Sequence, residues 1–171
     1  MRPTSAARAA GHIALVAAWA GILLAPIHAL SRFATADGAA DLDSAVVRVW
    51  AVPAARWLQP LLDWSDPMTV YTTYGRVWLP ILLAATACAF AIRRRRDPVG
   101  LERWGWRLAL PGYVLATASI VRDYWTPWME TSFAYLGIPG LLISVAGSTV
   151  LGIALLRRRF RPSRTASPEP V

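Results

Sequence analysis

From Ile13 to Leu30 the chain reads eighteen residues without an Asp, Glu or Arg. At about 1.5 Å of rise per residue, a helix of that length nearly matches the ~30 Å hydrocarbon core of a bilayer. No other feature limits the fold so strongly, because a helix apolar all round must be covered by lipid or by a large protein core. A chain of 171 residues, 56% hydrophobic and 16% charged, has too little polar surface to wrap such a core. Lipid is the solvent it fits.

Three more apolar runs follow, centred on residues 77–92, 108–121 and 138–156. With their flanks they predict spans of about 12–30, 68–92, 104–124 and 138–156. The third kernel covers only ~21 Å, so it needs Trp104 to Trp125 to cross. The expected fold class is all-α: an integral membrane four-helix bundle, with short interfacial helices in the first outer loop, residues 31–66. Residues 1–160 form one polytopic domain. Residues 161–171, polar and proline-rich, read as a disordered cytoplasmic tail. Arg2 and Arg8 ahead of the first run resemble the start of a signal peptide. The run is long for a signal core, and Pro26 and His28 lie near its end without a small-x-small site, so an uncleaved anchor is expected.

All 18 basic residues are arginine, and the formal net charge is +8. Arginine without lysine points to a GC-rich genome and so to a bacterium. Thirteen arginines fall on one side of the expected spans and five (Arg32, Arg48, Arg56, Arg76 and Arg122) on the other. The positive-inside rule then places both termini in the cytoplasm of a multi-pass cell-membrane protein. Trp104 and Trp106 mark the inner boundary. Trp50, Trp57, Trp64, Trp78, Trp125 and Trp128 mark the outer one, and Trp19 alone is mid-span. The arginines sit at span ends and not on a soluble basic domain, which argues against nucleic acid. Arg93, Arg94, Arg95, Arg96, Arg157, Arg158 and Arg159 form a cytoplasmic rim suited to anionic phospholipid headgroups.

In the outer loop, residues 34–43 are small and acidic and read as exposed, while residues 46–62 are apolar with Arg48 and Arg56 among them. Pro53 and Pro60 are expected to forbid one long helix there. Ser65-Asp66-Pro67 reads as an N-cap and first-turn proline opening the second span. Thr126-Pro127 repeats that signal ahead of Trp128, and residues 137–140 (Gly-Ile-Pro-Gly) are expected to break or kink the chain. Gly140, Ser144, Ser148 and Gly152, four residues apart, form a small-residue ridge for helix packing. Ala17, Gly21 and Ala25 offer a second ridge that would meet it, or a second copy of the chain. The short loop after Arg93 makes spans two and three antiparallel neighbours.

One polar layer stands out. His28, Arg76 and Asp123 each lie 16 residues from an inner-boundary residue, and Arg122 lies 15. That corresponds to roughly 23–24 Å of helix and puts all four at the outer edge of the hydrocarbon. Tyr71, Tyr74 and Tyr124 are near. Arginine's planar fork suits phosphate oxygens, Asp123 would orient an arginine, and His28 would move a proton. Anchoring at the interface by snorkelling is the plainer use of the same residues. Glu130 is expected beyond the outer boundary, solvated. Cys88 reads as packing, and two histidines at opposite faces do not make a metal site. No cofactor is expected. The leading function is a non-enzymatic accessory or lipid-interacting structural protein, with a membrane protein partner or a homo-oligomer. The alternative is a small transporter or membrane enzyme that acts on an anionic lipid or ion through the polar layer.

An acidic residue before an apolar-Trp segment (Asp41 to Trp50), a Trp-Ser-Asp-Pro helix entry and a span ending in arginines occur together here. In this respect Leu42 to Gly100 is similar to the front half of the type 2 membrane phosphatidic acid phosphatases. The catalytic arginine-proline, serine-glycine-histidine and second histidine motifs of that family have no counterpart in this chain. The likeness therefore implies no activity.

Overall fold

Asp66 closes the first turn of the longest central helix by accepting the backbone N–H of Thr69 at 3.0 Å, with Pro67 as the first helical residue. The computed structural model describes residues 5–126 and 132–159. Among them the chain is all-helical. α1 is Ser5–Phe33, a 3-10 turn covers Ala39–Asp43, α2 is Ala45–Trp57 and α3 is Gln59–Leu62. α4 is Pro67–Arg94, α5 is Leu101–Trp125, and a π-helical turn, Phe133–Gly137, runs directly into α6, Ile138–Arg159.

Among the described residues three helical stretches are long and apolar enough to cross a membrane: Gly11–Phe33, Pro67–Arg94 and Phe133–Arg157. α5 has the length, at 25 residues or about 37 Å, but carries Glu102, Arg103, Arg107, Arg122 and Asp123 near its ends. The long helices lie in a row, α1–α4–α5–α6, each packed on the next. The expected bundle is thus open, with α1 and α6 at its two edges. α1 meets α4 where Gly21 faces the ring of Trp78, and its C-terminal end touches α2 through Phe33 and Trp50, centroids 5.9 Å apart.

The tightest seam joins α5 and α6, and it corrects the ridge read from sequence. Gly105 faces Leu151, Ala109 faces Gly147, Gly112 faces Ser144, and Ala116 faces Gly140. Both helices place small or core residues at steps of four, three and four: 105, 109, 112, 116 against 140, 144, 147, 151. That 3.5-residue period keeps the seam facing its partner, as in a coiled coil. A strict four-residue step drifts by roughly 40° each time, so by the third step Gly152 has turned away. Gly152 is exposed with open space beside it, whereas Gly140 and Ser144 are buried in the seam. Ser148 stays at its margin, its Oγ 2.9 Å from the hydroxyl of Tyr113. The partner of the ridge is α5, not the Ala17, Gly21 and Ala25 face of α1.

The 46–62 stretch is divided as expected, into α2 and α3, whereas the chain does not break at residues 137–140. α2 continues through Pro53, which forfeits only the bond to the carbonyl of Val49. The interruption comes at Leu58, and Pro60 then opens α3 in its first turn. Residues 137–140 do not break the chain, because the π-helical turn absorbs the strain that Pro139 would impose. Trp128, Glu130 and the 161–171 tail lie outside the described residues, as do the side chains of Arg8, Arg158 and Arg159.

Candidate functional site

Toward the C-terminal ends of α1 and α5 and in the N-terminal half of α4, aromatic and imidazole groups interlock. The indole Nε1–H of Trp78 donates to Nδ1 of His28 at 3.0 Å. An indole nitrogen only donates, so Nδ1 must be the bare nitrogen and the ring proton sits on Nε2. Nε2–H then donates to the hydroxyl of Tyr124, 3.0 Å away, and Tyr124 donates to the hydroxyl of Tyr71 at 2.8 Å. His28 stacks on Tyr71 with centroids 5.0 Å apart and planes 11° from parallel. Tyr124 meets both rings edge-on.

The sequence places these groups for simple reasons. Tyr71 and Trp78 are seven residues apart and share one face of α4. Gly75 lies between them, and the ring of Tyr124 occupies the space a Cβ at Gly75 would need. Tyr124 therefore reaches across α4 to α1, and one chain of hydrogen bonds ties three helices together. Tyr74, on a neighbouring face, donates to the carbonyl of Leu61 at 2.7 Å and holds α3 against α4.

The four residues of the sequence-derived layer share this end of the molecule but not one site. His28 is inside the aromatic cluster. Arg76 touches its edge: Nε–H donates to the backbone carbonyl of Tyr124 at 3.2 Å, and the guanidinium lies 6.0 Å from the centroid of Trp125. Asp123 turns the other way. It is buried and accepts from the hydroxyl of Ser119 at 2.9 Å and from the backbone N–H of Ser132 at 3.2 Å. Its partners are thus α5 itself and the entry to the last helix, not an arginine. Arg122 is exposed on a third face.

At the opposite end, the rim residues diverge. Arg96 pairs with Glu102 at 2.6 Å, and Glu102 is 1% exposed. Arg93 and Arg94 sit in the last turn of α4, where cations favour the helix dipole. Arg95 follows at its C-cap, and Arg157 is exposed near the end of α6.

Sequence reading missed Trp78, taken only as an interface anchor, as well as Ser119, Ser132 and the burial of Glu102. The signal for Trp78 was its seven-residue spacing from Tyr71 on an apolar helix. Cys88 is buried. Among the described residues no three His, Cys, Asp or Glu side chains converge as a metal would require. Chemically, the cluster is a brace: both nitrogens of His28, the indole N–H of Trp78 and the hydroxyl of Tyr124 are engaged within it. No protein-family model, curated protein or solved structure matches the chain.

Proposed function

We propose that the chain is a four-span protein of a bacterial cell membrane, with both termini cytoplasmic, and that it acts without catalysis as a structural subunit. Its partner would be another membrane protein or a second copy of itself. Support for a crossing by α5 comes from its companion. α5 runs beside α4 from Tyr124 over Gly75, through the Thr86–Thr117 hydroxyl pair at 3.3 Å, to a buried cluster that holds both Trp106 and Ala89. Packing along a neighbour that can span over that stretch supports placing α5 in the same slab. The arginine asymmetry then favours cytoplasmic ends.

The observation that carries the non-enzymatic reading is the closure of the polar groups. Both ring nitrogens of His28, the hydroxyl of Tyr124 and both carboxylate oxygens of Asp123 are engaged by protein partners. Acid–base chemistry or ion passage needs a group held ready with a bond to change. A brace needs the opposite. Gentle purification followed by native mass spectrometry tests this, with a stoichiometric membrane partner or a homo-oligomer as the expected result. A chain that stays alone, and that loses an ion flux or a lipid-converting activity in both Arg76→Ala and Arg122→Ala, would overturn it in favour of a small transporter or membrane enzyme.

A further inference from the structure

We propose that a cleft between the arginine-rich ends of α4 and α5 binds one anionic glycerophospholipid. The inference rests on the reading that both helices cross the membrane. The cleft has a volume of about 830 Å³. Arg93, Arg103 and Arg107 line it, against the single carboxylate of Asp97. Among the described residues none of the three arginines is paired with an acid. Arg93 donates to the carbonyl of Arg96 at 3.2 Å, Arg103 to the carbonyl of Pro98 at 3.3 Å, and Arg107 lies 5.1 Å from the ring centroid of Trp104. A guanidinium carries five N–H donors, so most of this donor capacity remains for anionic oxygens.

Below the arginines the cleft becomes apolar. Phe90, Leu110 and Val114 continue it away from the charged mouth. From Arg103 to Val114 the wall is about 16 Å long, enough for a glycerophosphate head and the first part of an acyl chain. A free anion would satisfy the mouth and leave the apolar wall bare, and a hydrocarbon chain would do the reverse. A phospholipid with net negative charge satisfies both. Trp106 forms the back of the cleft and is 8% exposed, with its Nε1–H buried and lacking an acceptor.

The test uses the full chain, delipidated in detergent and titrated with phosphatidylglycerol or phosphatidylcholine under native mass spectrometry. Wild type should retain phosphatidylglycerol over phosphatidylcholine. The double variant Arg103→Gln/Arg107→Gln should lose about tenfold of that preference. Val114→Trp, which fills the apolar wall and leaves every charge in place, should weaken retention of phosphatidylglycerol as well. Arg94→Gln/Arg157→Gln, which removes equal charge outside the cleft, should match wild type. An unchanged preference in the Arg103/Arg107 variant, or an equal loss in the Arg94/Arg157 control, would overturn the site. Circular dichroism of each variant separates lost binding from lost folding. Single-cysteine accessibility on either side of α5 separates failure of the site from failure of the four-span reading.

Discussion

The indole of Trp78 fixes the protonation of His28, because its Nε1–H meets Nδ1 at 3.0 Å and that nitrogen can only accept. Nitrogen NMR on histidine-labelled protein should therefore show one neutral tautomer for His28, protonated at Nε2. Trp78→Phe removes the donor while keeping an aromatic ring against Gly21. It should mix the two tautomers and lower stability by about 1 kcal/mol, the usual scale of a hydrogen bond between membrane helices. A single unchanged tautomer in Trp78→Phe would mean that Tyr124 alone orients the ring.

The α5–α6 seam makes a sharper comparison within one helix type. A Cβ at Gly112 would overlap the backbone nitrogen of Ser144, and backbone cannot rotate aside. Gly112→Ala should cost about 1–3 kcal/mol, the range for overpacking a tight contact. At Gly152 a Cβ meets open space. Gly152→Ala should stabilise the helix by roughly 0.5–1 kcal/mol, since only backbone entropy changes. Reversible unfolding in mixed micelles reads both, and equal effects would refute the 4-3-4 register.

What could be read from the sequence was local. Asp66 and Pro67 cap a helix wherever that helix goes, so the Ser-Asp-Pro signal was enough to place the start of α4. Length and apolarity alone mark out the three stretches that can cross a membrane. Rotation about the helix axis was not legible. Gly140 and Ser144 belong to both a four-step and a 4-3-4 pattern, and only the matching set on α5 selects the second. The same limit hid the polar partners. Residue counting brought His28 and Asp123 to one level, but level says nothing of direction, and the two point to different neighbours. A break at Pro139 was over-read because the π-helical turn just ahead of it carries the chain into α6 without interruption.

Arg96 and Glu102 make an asymmetric pair, 38% and 1% exposed at their side chains. Removing the arginine strips a buried carboxylate of its cation, whereas Glu102→Gln leaves an exposed guanidinium that water can solvate. Arg96→Ala should therefore destabilise more than Glu102→Gln, by about 1–3 kcal/mol. That is below the cost of breaking a fully buried pair, because Arg96 is partly solvated. Denaturant titration of the two variants checks the order, and a larger loss in Glu102→Gln would contradict it.

Asp66 links the α4 N-terminus to pH. The side chain and the backbone N–H of Thr69 both hydrogen-bond its carboxylate and hold it below its ordinary value of 3.8. A depressed pKa means the cap is fully present above that ordinary value and is lost as pH falls through and below it. Protection of the Thr69 amide from hydrogen exchange should be flat from neutral pH down to the carboxylate range and drop beneath it. Asp66→Asn, which caps without a charge, should remove the acid step. Persistence of that step in Asp66→Asn would assign it to another group.

The decisive topological residue is Thr126, just past the end of α5. With Cys88→Ala as background, single cysteines at Asp41, Asp97, Thr126 and Arg157 report the side on which each helix ends. If α5 crosses beside α4, an impermeant maleimide added to intact cells labels Asp41→Cys and Thr126→Cys. Asp97→Cys and Arg157→Cys then react only after permeabilisation. If α5 instead lies along the cytoplasmic face, Thr126→Cys is silent in intact cells and Arg157→Cys becomes accessible, because α6 would start from the inner side. The antiparallel contacts favour the first pattern. Gly75 under Tyr124 and the Thr86–Thr117 pair hold α5 along α4, and Ala89 and Trp106 share one buried cluster, so a helix lying flat would have to surrender one of these contacts.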